Sequence, residues 1–300
     1  MRKMTRVAAG LAALVLVAVM AGCNKSKRMT PEERQAQSEA LVEAVKSNNV
    51  YKVRRLIAKG AEPNTSTTQD EQKDAGDISV LIIAVRNNFA KVAKILIDGG
   101  ASPNTEFNGW TALMHAAARN SVSAVKVLIE AGADVNVRNS DGGTALELAV
   151  FFDNVDVARL LITGGADVNT KDYIGKPMLM IAANKRNAEM VRLLIAGGAD
   201  LEAKYDTTGD TALMEAAVME SVDAVKVLIE AGADVNAKNK YGSTALMYTA
   251  YNDAVDVAKV LIEAGADVNA KSNSGKTVLM FASNYDAPNV QKLLRAAGAR

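Results

Sequence analysis

The chain has 300 residues carrying 35 basic and 34 acidic side chains, a single histidine and a single cysteine. So even a balance, with no basic stripe, argues against binding nucleic acid by phosphate neutralisation. One cysteine excludes an intramolecular disulfide, and one histidine beside it excludes a Cys/His metal cluster.

A composition 49% hydrophobic and only 4% aromatic fits a folded, alanine-rich helical protein. At the N-terminus, Arg2, Lys3 and Arg6 precede an apolar run over 7–22. Sixteen residues fall short of a membrane span, which needs roughly 20, but suit the core of a signal peptide. The run ends in Met20-Ala21-Gly22-Cys23, which resembles a bacterial lipoprotein processing site, with Met20 where leucine is usual. A plain signal peptide or an uncleaved anchor is the alternative. The resemblance implies a leader over 1–22 and lipidation of Cys23. Asn24, in the second place, is not the aspartate that holds enteric lipoproteins at the inner membrane. The expectation is a bacterial envelope protein on the outer membrane, facing the periplasm or the cell surface.

Residues 23–37 then read as a tether and the start of a first helix. Thr30-Pro31-Glu32-Glu33 supplies a capping hydroxyl, a first-turn proline and a reciprocal glutamate.

From Thr111, Thr211 and Thr244, nearly the same string runs for 33 residues. That period is the mark of a stacked repeat. In the unit from Thr211, the threonine is placed to cap a short helix. Ala212, Leu213, Ala216 and Ala217 give that helix one leucine and small side chains, so a neighbour can approach closely. After a polar break at Glu220 and Ser221, Val222, Val225, Leu228 and Ile229 recur at helical spacing. Gly232 is the expected left-handed stop, and 234–242 a turn-rich loop. Neither helix can bury its apolar face alone, so the units must stack.

These residues resemble the ankyrin repeat family, in the TAL of Thr211 to Leu213, the VLIEAGADVN from Val227 to Asn236, and the Gly-x-Thr ending at Thr244. The family's T-P-L-H is T-A-L-M here, with Ala212 for proline and Met214 for histidine. His115 falls one place beyond the family's histidine slot. The resemblance implies an all-α fold, an ankyrin repeat solenoid of helix-turn-helix units joined by β-hairpin-like loops. Its domain would span 38–300, with an N-terminal cap at 38–78 and units at 79–110, 111–143, 144–176, 177–210, 211–243 and 244–276. A C-terminal cap at 277–300 carries Gln291 and Arg295 in core-facing or border places. Pro177 removes one capping hydroxyl, 206–208 holds a one-residue insertion, and the loop at 65–78 is long and acidic.

No residue is nominated for catalysis, cofactor or metal binding. Ser272 to Thr277 ends like a phosphate-binding loop, but Ala270 occupies the leading glycine's place and the match follows the repeat register. The aspartates of Gly-Ala-Asp (Asp134, Asp167, Asp200, Asp234, Asp267) are turn residues, too regularly spaced to converge. The aromatic residues are more informative. Phe107, Trp110, Tyr173, Tyr205 and Tyr241 fall at hairpin tips. His115, Phe151, Phe152, Tyr248, Tyr251, Phe281 and Tyr285 fall on the first helices. In the ankyrin family these positions form the concave partner-binding surface, and Tyr, Trp and Phe are the residue types that anchor interfaces. Packing on neighbouring hairpins is the alternative for some, Phe151 and Phe281 first.

The expected function is a non-enzymatic, monomeric scaffold binding a protein partner in its groove and touching the membrane only through its lipid. A regulator or protector of an envelope enzyme is one form of this; a structural spacer or unselective holdase is the alternative.

Overall fold

The structure is a computed structural model that describes residues 29–68 and 77–300. The expected leader, Cys23 and Asn24 lie outside the described residues, as do Asp70, Glu71 and Asp74.

Thr30 closes the expected capping box. Its hydroxyl accepts from the Glu33 N–H at 3.1 Å, and the Glu33 carboxylate accepts from the Thr30 N–H at 2.8 Å. This starts α1 (Pro31–Lys46), followed by α2 (Val50–Ala58), α3 (Val80–Arg86), α4 (Ala90–Asp98), α5 (Ala112–Ala118) and α6 (Val122–Glu130). Then come α7 (Ala145–Phe151), α8 (Val155–Thr163), α9 (Met178–Asn184), α10 (Ala188–Ala196) and α11 (Ala212–Val218). The series closes with α12 (Val222–Glu230), α13 (Ala245–Tyr248), α14 (Val255–Glu263), α15 (Val278–Asn284) and α16 (Pro288–Ala296). Within each unit the two consecutive helices pack against each other.

A typical first helix has 7 residues and a typical second helix 9. Isolated helices below about 12–15 residues are marginal in water, so these depend on packing. First helices stack on first helices and second on second along the chain. Leu213, Ala216 and Ala217 of α11 and Ala224, Val225 and Leu228 of α12 are buried. The same pattern links units into one apolar core from Leu41 to Leu294.

The hydroxyls of Ser79, Thr111, Thr144 and Thr277 cap their helices. Thr211 occupies the same place but makes no side-chain cap bond, contrary to the sequence expectation. Thr244 makes none either, and its buried hydroxyl oxygen has no hydrogen-bond partner. Pro177 caps nothing, as expected. At the far end of α12, Gly232 adopts φ +96°. Its N–H reaches the Ile229 carbonyl while the Ala233 N–H reaches that of Leu228, a Schellman closure.

Helix α13 is short for a local reason. Thr249 stands where the other repeats carry alanine, and its buried hydroxyl donates to the Leu246 carbonyl at 2.8 Å. Such back-bonding competes with the helical ladder. The next N–H groups, of Ala250 and Tyr251, accordingly reach only three residues back.

Two inter-unit hairpins contain strands among the described residues. β1 (Ser66–Thr68) pairs antiparallel with β2 (Asp77–Ser79), so the expected long loop at 65–78 is partly a ladder. β3 (Glu106–Phe107) pairs with β4 (Trp110–Thr111). Elsewhere the hairpins are held by single bridges or turns.

Side chains also tie one unit to the next. Asn64, Asn136, Asn169 and Asn236 each accept from a backbone N–H of the following unit and donate to one of its glycine carbonyls. Glu202 replaces asparagine in this row and only accepts, from the Asp234 N–H at 2.8 Å. A second row runs along the hairpins. Lys171, Lys204 and Lys238 donate to the carbonyls of Lys204, Lys238 and Lys271 at 3.0 to 3.1 Å. The lysines are therefore aligned, although the sequence shows no basic stripe, and these three ammonium groups rest on neighbouring backbone.

Candidate functional site

The hairpin β3–β4 and the ends of three first helices surround a concavity of about 410 Å³. It is lined by Arg86, Asn108, Trp110, His115, Ala118, Arg119 and Phe152. Helix α3 ends at Arg86, α5 is capped by Arg119 and α7 by Phe152, so three successive units each contribute. The short alanine-rich helices bring these ends together.

His115 forms the floor. Its ring lies 5.5 Å from that of Trp110 and 6.2 Å from that of Phe107. Nε2 is 3.3 Å from the Phe107 carbonyl, which can only accept, so Nε2 carries the proton. Burial, reinforced by the charges of Arg86 and Arg119, lowers the imidazole pKa to about 4 against the opposing effect of the Phe107 carbonyl. His115 is thus a neutral donor at pH 7. Burial and the Arg119 charge likewise lower the Arg86 pKa.

Next to this concavity, Phe151 meets Phe152 edge to face at 5.2 Å, and the Lys185 ammonium sits 4.8 Å from the Phe151 ring. Both phenylalanines are about half exposed, at 54% and 50%. A second cluster lies three units further along, in the unit 244–276 and the C-terminal cap. Tyr251 is 5.6 Å from Tyr248 and 4.2 Å from Tyr285, whose ring lies 6.5 Å from Phe281. Tyr248 is committed to the scaffold. Its hydroxyl donates to Asp210 at 2.8 Å and accepts from Asn239 at 3.0 Å. Burial and the Asp210 carboxylate raise its pKa; burial and Tyr285 raise that of Tyr251.

The expected aromatic surface therefore divides. Trp110, His115, Phe151 and Phe152 gather at one place, Tyr251 and Tyr285 at another. Tyr173 and Tyr241 stand apart at exposed tips. Phe107 is buried and supports the first cluster from beneath. Tyr205 is half-buried, packed on the core with the Lys176 ammonium 5.6 Å from its ring. Phe281 is half-buried on its own helix. Sequence reasoning passed over Arg86, Arg119 and Asn108. Their signal was available: both arginines fall at the ends of first helices, next to aromatic places in the register. Among the described residues, no three His, Cys, Asp or Glu side chains cluster to hold a metal ion.

Stacked helix pairs joined by hairpins, with this register of Gly-Ala-Asp and Thr-Ala-Leu, agree with the family comparisons. A model described as ankyrin repeats (3 copies) matches residues 81–172 and 173–239, and one described as ankyrin repeats (many copies) matches 228–282. The chain belongs to the ankyrin repeat family. It is similar to the crystal structure of the ankyrin repeat domain of Bcl-3, described as a unique member of the IkappaB protein family. The identity is 29% and the TM-score 0.65, over 72% of this chain and 97% of that one. It is similar also to the human ASB11 ankyrin repeat domain, at 26% identity and TM-score 0.64, over 74% of this chain and 99% of that one. Comparison with curated proteins finds no match. Ankyrin repeats are protein-interaction scaffolds, and the two aromatic clusters lie on the hairpin and first-helix positions of this ankyrin array.

Proposed function

We propose that this ankyrin array is a non-enzymatic adaptor, lipid-anchored through Cys23 in a bacterial envelope, that holds a protein partner in its groove. The observation that carries the reading is the collection of exposed aromatic side chains, Phe151, Phe152, Tyr251 and Tyr285, on two adjacent places of the repeat register. Large rigid rings left in water at such positions are what interfaces use as anchors. The stacked units form a continuous core, so docking needs little backbone rearrangement. The envelope part of the reading rests on the basic, apolar and Cys23 order of residues 1–23.

The test is affinity capture from bacterial envelope extract with the full chain. It runs beside a Trp110→Ala, Phe152→Ala, Tyr251→Ala variant whose helical circular dichroism is unchanged. A defined protein held by the parent and lost by the variant supports the adaptor. Equal recovery by both defeats the groove reading and leaves a spacer or holdase. For the anchor, Cys23→Ser should move the protein from the membrane fraction to the soluble one; retention in the membrane contradicts lipidation.

A further inference from the structure

We propose that the concavity between Arg86, Trp110, Arg119 and Phe152 is a subsite for an acidic side chain of an extended partner peptide, with the peptide's neighbouring apolar residue against the two rings. This rests on the adaptor reading above and names the chemistry that one part of the groove selects.

The argument starts from charge. The cavity is lined by two guanidinium groups, and neither has a carboxylate within 4 Å among the described residues. Most arginines among the described residues make no ion pair, Arg159 with Glu189 and Arg192 with Glu230 being the exceptions; what sets Arg86 and Arg119 apart is that they line one concavity together. The Arg119 charge disfavours that of Arg86, and both charges act on the His115 ring that shares their cavity. An entering carboxylate relieves that repulsion, and guanidinium forks match carboxylate geometry.

The remaining lining fixes the rest of the ligand. Trp110, Ala118 and Phe152 form an apolar wall, which a bare inorganic anion would leave wet. Two cations in a chain of nearly balanced charge are too few for a nucleic-acid track. The side chain of Asn108, exposed at the hairpin turn, can pair with peptide backbone at the rim. A short stretch mixing acidic and apolar residues satisfies all of these surfaces together.

Trp110 is the only tryptophan in the chain, so its fluorescence reports from within the site. The full chain, purified in detergent, is titrated with the blocked pentapeptide acetyl-Leu-Glu-Leu-Glu-Leu-amide. The controls are its glutamine counterpart and inorganic phosphate. The expected result is a saturable emission change with the acidic peptide. Affinity should fall about tenfold or more for the glutamine peptide, and likewise in Arg86→Gln, Arg119→Gln. Equal responses to both peptides, an unaltered double variant, or an equal response to phosphate would each overturn the assignment. Arg119 is exposed, so Arg119→Gln alone keeps the test open if the double variant unfolds. In the extract capture, a partner retained by the arginine variant but lost by the Trp110, Phe152, Tyr251 variant sinks this subsite alone. A partner retained by both sinks the groove as well.

Discussion

Asn136 grips the unit that follows it: its side-chain oxygen accepts from the Asp167 N–H at 2.9 Å, and its amide donates to the Gly165 carbonyl at 3.0 Å. Because the bond crosses between repeats, it contributes to coupling and not to the local stability of one hairpin. Asn136→Ala should destabilise the array by about 1 kcal/mol, given the exposed setting of both bonds. Glu202→Asn, which restores a donor to the row, should stabilise it by roughly 0.5 kcal/mol. Urea denaturation of both variants checks the pair, and a loss of stability in Glu202→Asn would contradict the account.

Leu228 is fully buried between second helices. Truncation to alanine should cost about 2–5 kcal/mol, the range for a buried leucine in a packed core. Neighbouring units should loosen with it, because each repeat is stable only through its neighbours. Hydrogen exchange would show protection falling in α10 and α14 as well as in α12. Unchanged thermal unfolding would contradict the stacking argument.

Glu147 sits where other repeats place Met114, Met180, Met214, Met247 and Met280, and the unit 79–110 places Ile82. One of its carboxylate oxygens is buried without a hydrogen-bond partner. Burial first, and Asp172 second, raise its pKa above the ordinary value. The folded state therefore favours the protonated acid, and its stability falls as pH rises through the carboxylate range. Glu147→Met should raise the melting temperature at pH 7, with the advantage shrinking towards acid pH. A gain that is the same at every pH would remove the electrostatic explanation.

His115 works in the opposite sense. Its folded pKa of about 4 lies below the ordinary 6.5. Between those values the unfolded chain binds a proton that the folded chain does not, so stability is lost as pH falls through this window. As the only histidine in the chain, it gives one imidazole resonance. Nuclear magnetic resonance should place its midpoint near 4, and a midpoint near 6.5 would mean that the ring is not enclosed by Trp110 and Phe107.

The helices were readable because alanine, leucine and glycine recur at a fixed period, and each recurrence repeats the same packing problem. Less accessible were features set by a single departure from that period. Thr249 shortens α13 through one hydroxyl, and Arg186 and Glu220 occupy left-handed turn positions held elsewhere by asparagine or aspartate. The aromatic positions were legible as a register, but whether a ring faces solvent depends on partners from other units. Tyr248 and Tyr251 are three residues apart, yet Asp210 and Asn239 immobilise only the former. The register places Arg86 and Arg119 at the ends of first helices, but that both lack a carboxylate partner is a relation between side chains and is not written in either residue alone.

The lysine row has a mechanical consequence. Each bond from Lys171, Lys204 or Lys238 spans adjacent hairpins with a long flexible stem, whereas the helices behind them are joined by close-packed alanine and leucine. When the array bends, the hairpin rim can stretch and these ties can slip from one carbonyl before any core contact is lost. The expectation is a stiffer helical back and a more compliant hairpin edge, with force applied at one end opening the lysine ties before a repeat unravels.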